Sequence, residues 1–124
     1  MQRRSVSYGK LVRDRIPEII SAKGQEAHIR TLQASELFDA LVTKLGEEAA
    51  ELRCAAPDSQ LEELADLREV LSALIATLGY AEEQVEQAAR EKRAIRGGFR
   101  RGVWLDEVSW LDDQQGTAGP STGQ

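Results

Sequence analysis

The chain has 124 residues, 41% of them hydrophobic, and a net charge of −5. That length supports one domain with its own core and is too short for two, and the acidic balance argues against a protein that grips a nucleic-acid polymer, which usually carries a basic surplus. The single cysteine, Cys54, excludes an intramolecular disulfide and a cysteine zinc cluster, and no stretch approaches the ~20 apolar residues of a helical membrane span.

In chain order, Asp14 is expected to cap a first helix, with Pro17 in its first turn, where the missing N–H does little harm. Ile16, Ile19 and Ile20 give that helix an apolar side, and Lys23-Gly24 should end it. His28 to Leu32 alternates loosely and reads as a short strand. Ser35 is expected to cap a second helix, about 36–55, whose apolar stripe runs Phe38, Leu41, Leu45, Leu52. Cys54, late in that helix, reads as a small packing residue. Pro57 and Asp58 break the chain. Ser59-Gln60-Leu61-Glu62 has the pattern of a capping box opening a third helix, about 60–78. Leu64, Leu67, Leu71, Leu74, Ile75 and Leu78, widened by Val70, give it a broad apolar face, and Gly79 ends it. A more polar fourth helix, about 81–95, has Val85, Ala88, Ala89 and Ile95 on its apolar side and stops at Gly97-Gly98. Residues 103–108 read as a second strand able to pair with the first. The expected architecture is therefore mainly α: a four-helix bundle over residues 1–111, with a small two-stranded β element from 28–32 and 103–108. Residues 112–124, rich in Gly, Ser, Thr and Gln, read as a disordered polar tail.

The chemistry is concentrated in two acidic clusters, Glu47-Glu48-Ala49-Ala50-Glu51 and Glu62-Glu63-Leu64-Ala65-Asp66. Each holds an acid-x-x-acid pair, Glu48/Glu51 and Glu63/Asp66, and residues three apart share a helix face at roughly 5 Å. Position 48 falls in the apolar stripe of the second helix, and a carboxylate in core register needs a partner. Glu63 and Asp66 border the apolar face of the third. Two such helices side by side would aim four carboxylates at one point. Carboxylates that close raise one another's pKa, and a hard divalent cation such as Mg²⁺, which prefers oxygen ligands, removes the conflict. One cluster alone would be read as solvated surface; two on consecutive helices, each against an apolar face, point to a metal site. Glu47 and Glu62 point about 100° away, and Glu69 is either an outer ligand or a surface acid.

Rival chemistries fit less well. A di-iron bundle wants Glu-x-x-His on two helices, and the one histidine, His28, is off the expected helices. There is no glycine-rich phosphate loop, and one loop histidine supports no Ser-His-Asp set. Basic residues flank the acidic middle: Arg3, Arg4, Lys10, Arg13 and Arg15 before it, Arg90, Lys92, Arg93, Arg96, Arg100 and Arg101 after it. A basic rim around an acidic centre suits a metal-bound polyphosphate, although taken singly most such residues are surface charge. Lys92 and Arg96 stand at i, i+4 and are read as phosphate contacts, against the plainer role of charges complementing a helix C-terminus.

Glu48-x-x-Glu51 followed by Glu63-x-x-Asp66 resembles the signature of the MazG-like, all-α nucleoside triphosphate pyrophosphohydrolases, a superfamily that includes phosphoribosyl-ATP pyrophosphohydrolases and dimeric dUTPases. The opening Tyr8-Gly9-Lys10-Leu11-Val12-Arg13-Asp14-Arg15-Ile16-Pro17 and the closing Lys92-x-x-x-Arg96-Gly97-Gly98-Phe99 look like one branch of it, so the resemblance spans about residues 8–108. It implies an α-helical homodimer or homotetramer and Mg²⁺, with Mn²⁺ as a substitute, held by Glu48, Glu51, Glu63 and Asp66. It implies hydrolysis of a nucleotide between the α- and β-phosphates, to a monophosphate and pyrophosphate. In that scheme Glu47 or Glu51 takes the proton of the attacking water. Lys92 and Arg96 grip phosphates. Lys10, Arg13 and Asp14 either join that pocket or fix the N-terminal segment over it; for Arg13 and Asp14 a plain helix-start salt bridge is the alternative. Clearance of the nucleotide pool is the expected role in a cytoplasmic enzyme. The alternatives are a phosphoribosyl-ATP pyrophosphohydrolase of histidine biosynthesis and a non-catalytic nucleotide-binding helical module.

Overall fold

Four α-helices carry the fold in the computed structural model, which describes residues 2–112, and these residues contain no strand. They are α1 (Ile16–Ala22), α2 (Ala34–Cys54), α3 (Gln60–Thr77) and α4 (Glu82–Arg96). The fold is all-α, as the 3.6-residue apolar period requires. Contacts divide the chain into two units, Met1–Ala88 and Ala89–Gln124, so that α4 begins in the first and ends in the second. The polar tail expected beyond residue 112 lies outside the described residues.

The two β segments are a correction. Residues 28–32 and 103–108 are irregular, with Ile29, Val103 and Trp104 exposed. Short runs with few β-branched residues gain nothing as strands without a ladder partner and a shared apolar face.

The caps differ from expectation as well. α1 starts after Arg15 rather than on an Asp14 cap, α2 starts one residue before Ser35, and Ser59 stands at the head of α3 without bonding its backbone. A 3₁₀ turn over Pro57–Ser59 precedes α3 and takes over the reversal. The terminators hold. Gly79, at φ 85°, sits after α3 in a Schellman motif, with Gly79 N–H donating to Ala76 O and Tyr80 N–H to Ile75 O, both at 3.0 Å. At the start of α4, the Ala81 N–H donates to Gln84 Oε1 at 2.8 Å, which satisfies one otherwise orphaned donor.

The packed heart is the α2–α3 hairpin, closed by a connection of five residues, 55–59. Leu41 from α2 meets Val70 and Leu74 from α3, with Leu11, Leu37, Leu45 and Ala73 against them. Among the described residues four hydrophobic ones are buried: Leu41, Val70, Leu74 and Ile75. At about 1.5–3 kcal/mol per buried side chain this is a small core. The reason is that the broad face of α3 is covered on one flank only. Val70 and Leu74 face α2, whereas Leu64, Leu71 and Leu78, spaced by sevens, remain exposed, as do Phe38 and Val42 on α2. Cys54 is exposed too, which corrects its reading as a packing residue; it is the last residue of α2, beyond the packed stripe.

Candidate metal centre

The hairpin reverses between the two acidic clusters, so the end of α2 lies beside the beginning of α3. Glu48, Glu63 and Asp66 are thereby brought together, each offering one carboxylate oxygen, all within 4.8 Å of one another. Glu48 is 7% exposed and is the only buried charged residue among the described ones. Glu63 and Asp66 are half-buried. Glu51 is exposed and stands outside this trio, yet its carboxyl lies close enough to act on both Glu48 and Glu63.

Glu48 Oε2 and Glu63 Oε2 are buried and have no hydrogen-bond partner. The neighbouring carboxylates are acceptors, and none can donate unless it keeps a proton. The pKa of Glu48 is raised first by burial, then by Glu51 and Asp66, with Lys44 pulling the other way. That of Glu63 is raised by desolvation, then by Glu51 and Asp66. A buried acid with an orphaned oxygen, beside two more acids, is satisfied by a proton or by a cation. The donor set is all carboxylate oxygen, which suits a hard divalent ion. These residues could hold a metal ion.

Two cations border the trio. Arg13 Nη2 donates to Asp66 Oδ1 at 2.6 Å, and its Nη1 is 4.0 Å from Glu69 Oε1. Lys44 Nζ lies 3.8 Å from Glu48 Oε1. Glu69 is therefore a partner of Arg13 rather than a member of the trio. Lys44 was not singled out by the sequence reading; the available signal was its place four residues before Glu48, where side chains meet on a helix.

Glu47 turns away from the trio, as its spacing requires. It lines a groove of about 260 Å³ with Gly9, Lys10 and Leu11 on one side and Asp39, Thr43 and Lys44 on the other. Lys44 thus borders both the groove and the trio. Lys10 Nζ also sits over the Tyr8 ring, 5.5 Å from its centre. Asp14 and His28 are exposed and make no ion pair among the described residues. Lys92 and Arg96 are exposed on the part of α4 that belongs to the second unit. In that unit a recess of about 410 Å³ is lined, among the described residues, by Val108, Ser109, Trp110 and Asp112.

Among known proteins, the chain is 59% identical over 46 residues to a Mycolicibacterium smegmatis protein described as uncharacterized, a match that covers 37% of this chain and 47% of that one. The chain thus spans about half the length of the curated relative it matches. No family model matches, and no solved structure is significantly similar.

Proposed function

We propose that the chain is a Mg²⁺-dependent nucleotide pyrophosphohydrolase of the MazG-like kind, opening the anhydride between the α- and β-phosphates of a nucleoside triphosphate. The observation that carries this reading is Glu48, buried in core register with an unpartnered oxygen, converging with Glu63 and Asp66 across one helix hairpin. A carboxylate so placed destabilises the fold unless something binds it.

In this account Glu48, Glu63 and Asp66 hold the cation. Bound there, Mg²⁺ would neutralise charge on the phosphates and acidify a water. The remaining work belongs to the chain. Glu51, exposed beside Glu48 and Glu63, is better placed than Glu47 to take the proton of the attacking water as pyrophosphate leaves. Lys44 and Lys10 line the adjoining groove and supply positive charge for phosphate oxygens, with positioning and electrostatics providing most of the rate. Among the described residues no helix is long and apolar enough to cross a membrane.

The functional unit proposed is a homodimer or larger. Leu64, Leu71 and Leu78 of α3 with Phe38 and Val42 of α2 form the kind of uncovered apolar surface that a second copy buries.

The test is pyrophosphate release across canonical, deoxy and damaged nucleoside triphosphates, with Mg²⁺ or with EDTA, and with phosphoribosyl-ATP alongside. Release that requires Mg²⁺ supports the reading, and the ranking names the substrate. Thermal stabilisation by nucleotide and Mg²⁺ with no product would replace the enzyme with a nucleotide-binding module.

A further inference from the structure

Asp66 has two claims on it. It belongs to the converging trio, and it is the acceptor of the 2.6 Å hydrogen bond from Arg13. Arg13 lies in the segment before α1, 53 residues away in sequence, so this bond ties the N-terminal segment to α3. The second guanidinium nitrogen faces Glu69 at 4.0 Å. Arg13 is 55% exposed and Asp66 39%. An ion pair that open contributes little and is readily exchanged. The other chain cation behaves differently: Lys44 is 21% exposed, packed on the same helix as Glu48, and 3.8 Å from it. Meanwhile the buried Oε2 atoms of Glu48 and Glu63 have no hydrogen-bond partner.

We infer that Arg13 is the resident counter-ion of the trio and exchanges with the divalent cation. Without the cation, Arg13 holds Asp66 and keeps the N-terminal segment on α3. When the cation takes Asp66, the guanidinium is released beside a centre whose negative charge has been reduced by two. Its planar fork of donors suits phosphate oxygens, so it becomes a receptor for a phosphate-bearing anion that arrives after the cation. Loading is thereby ordered, cation before anion. The inference rests on the metal-centre reading above and adds to it a role for Arg13 that neither a helix-start salt bridge nor a permanent phosphate contact would have.

The experiment uses the full chain, with Mn²⁺ titrated by electron paramagnetic resonance and inorganic pyrophosphate titrated calorimetrically in saturating Mg²⁺. Wild type is compared with Arg13→Gln, which removes the charge, and Arg13→Lys, which keeps the charge and loses the fork. Both variants should fold, since the side chain is more than half exposed. Exchange predicts Mn²⁺ binding about threefold or more tighter in Arg13→Gln, because a competitor is gone, together with pyrophosphate binding roughly tenfold weaker. It also predicts that Arg13→Lys shares both changes in part. If Arg13→Lys matches wild type while Arg13→Gln does not, charge alone acts and the exchange is overturned. If all three proteins bind Mn²⁺ equally, the exchange is overturned and the metal centre stands. If none binds Mn²⁺, both fall.

Discussion

Glu48 faces Lys44 with one oxygen, at 3.8 Å, its other oxygen is buried and unpartnered, and its carboxylate converges with those of Glu63 and Asp66. One side chain is therefore half neutralised from its own helix and half left for something the chain does not supply. Its position in the apolar stripe between Leu45 and Leu52 makes this costly in a bare protein, and the proposed cation would offset that cost.

Glu48→Gln keeps the shape and removes the charge, and its amide can donate to a neighbouring carboxylate. The variant should melt higher than wild type at pH 7 without divalent cations. It should also lose the stabilisation that Mg²⁺ gives wild type, with Mg²⁺ affinity down at least tenfold. Differential scanning fluorimetry with and without Mg²⁺ measures both.

Stability should fall as pH rises, in the absence of divalent cations. Glu48 and Glu63 have folded pKa values raised above the ordinary 4.5. The folded state then binds more protons than the unfolded one, so their contribution is present below 4.5 and is lost through the raised folded values. Urea midpoints across pH 4 to 8 should show this decline, a smaller one in Glu48→Gln, and little of it in saturating Mg²⁺.

Leu74→Ala should destabilise the protein by about 2–5 kcal/mol, because Leu74 is in the small buried core. The exposed leucines of the same helix should behave differently. Leu64→Glu with Leu71→Glu should leave the circular dichroism unchanged and, if the proposed homodimer forms through this face, give a monomer in light scattering where wild type gives a dimer or larger, since these side chains are uncovered in one copy.

Gly79→Ala should cost about 1 kcal/mol in urea unfolding, for backbone reasons alone. The residue sits at φ 85°, and an added Cβ would meet nothing within 4 Å.

The helices were legible from their apolar period and their glycine terminators, because both are local. The caps were not. Asp14, Ser35 and Ser59 have the right chemistry, but α1, α2 and α3 start without a side-chain cap bond, and Ser35 lies inside α2; the 3₁₀ turn at Pro57 and the bond from Ala81 to Gln84 have no unambiguous spelling. Glu48 could be found because a charge in core register is conspicuous, and Glu63 and Asp66 followed from their shared face. Lys44 was within reach of the i, i+4 rule. The bond from Arg13 to Asp66 was not, since a separation of 53 residues leaves no periodic trace. How much of the α3 face is covered was not legible: spacing says which residues share a side, and only packing says how much of that side is covered.

The most direct measurement is pyrophosphate release from nucleoside triphosphates by wild type and Glu48→Gln, each with Mg²⁺ and with EDTA. The account predicts release by wild type in Mg²⁺ alone and a loss of at least a hundredfold in a folded Glu48→Gln. Turnover that survives EDTA, or a folded Glu48→Gln as active as wild type, would contradict it.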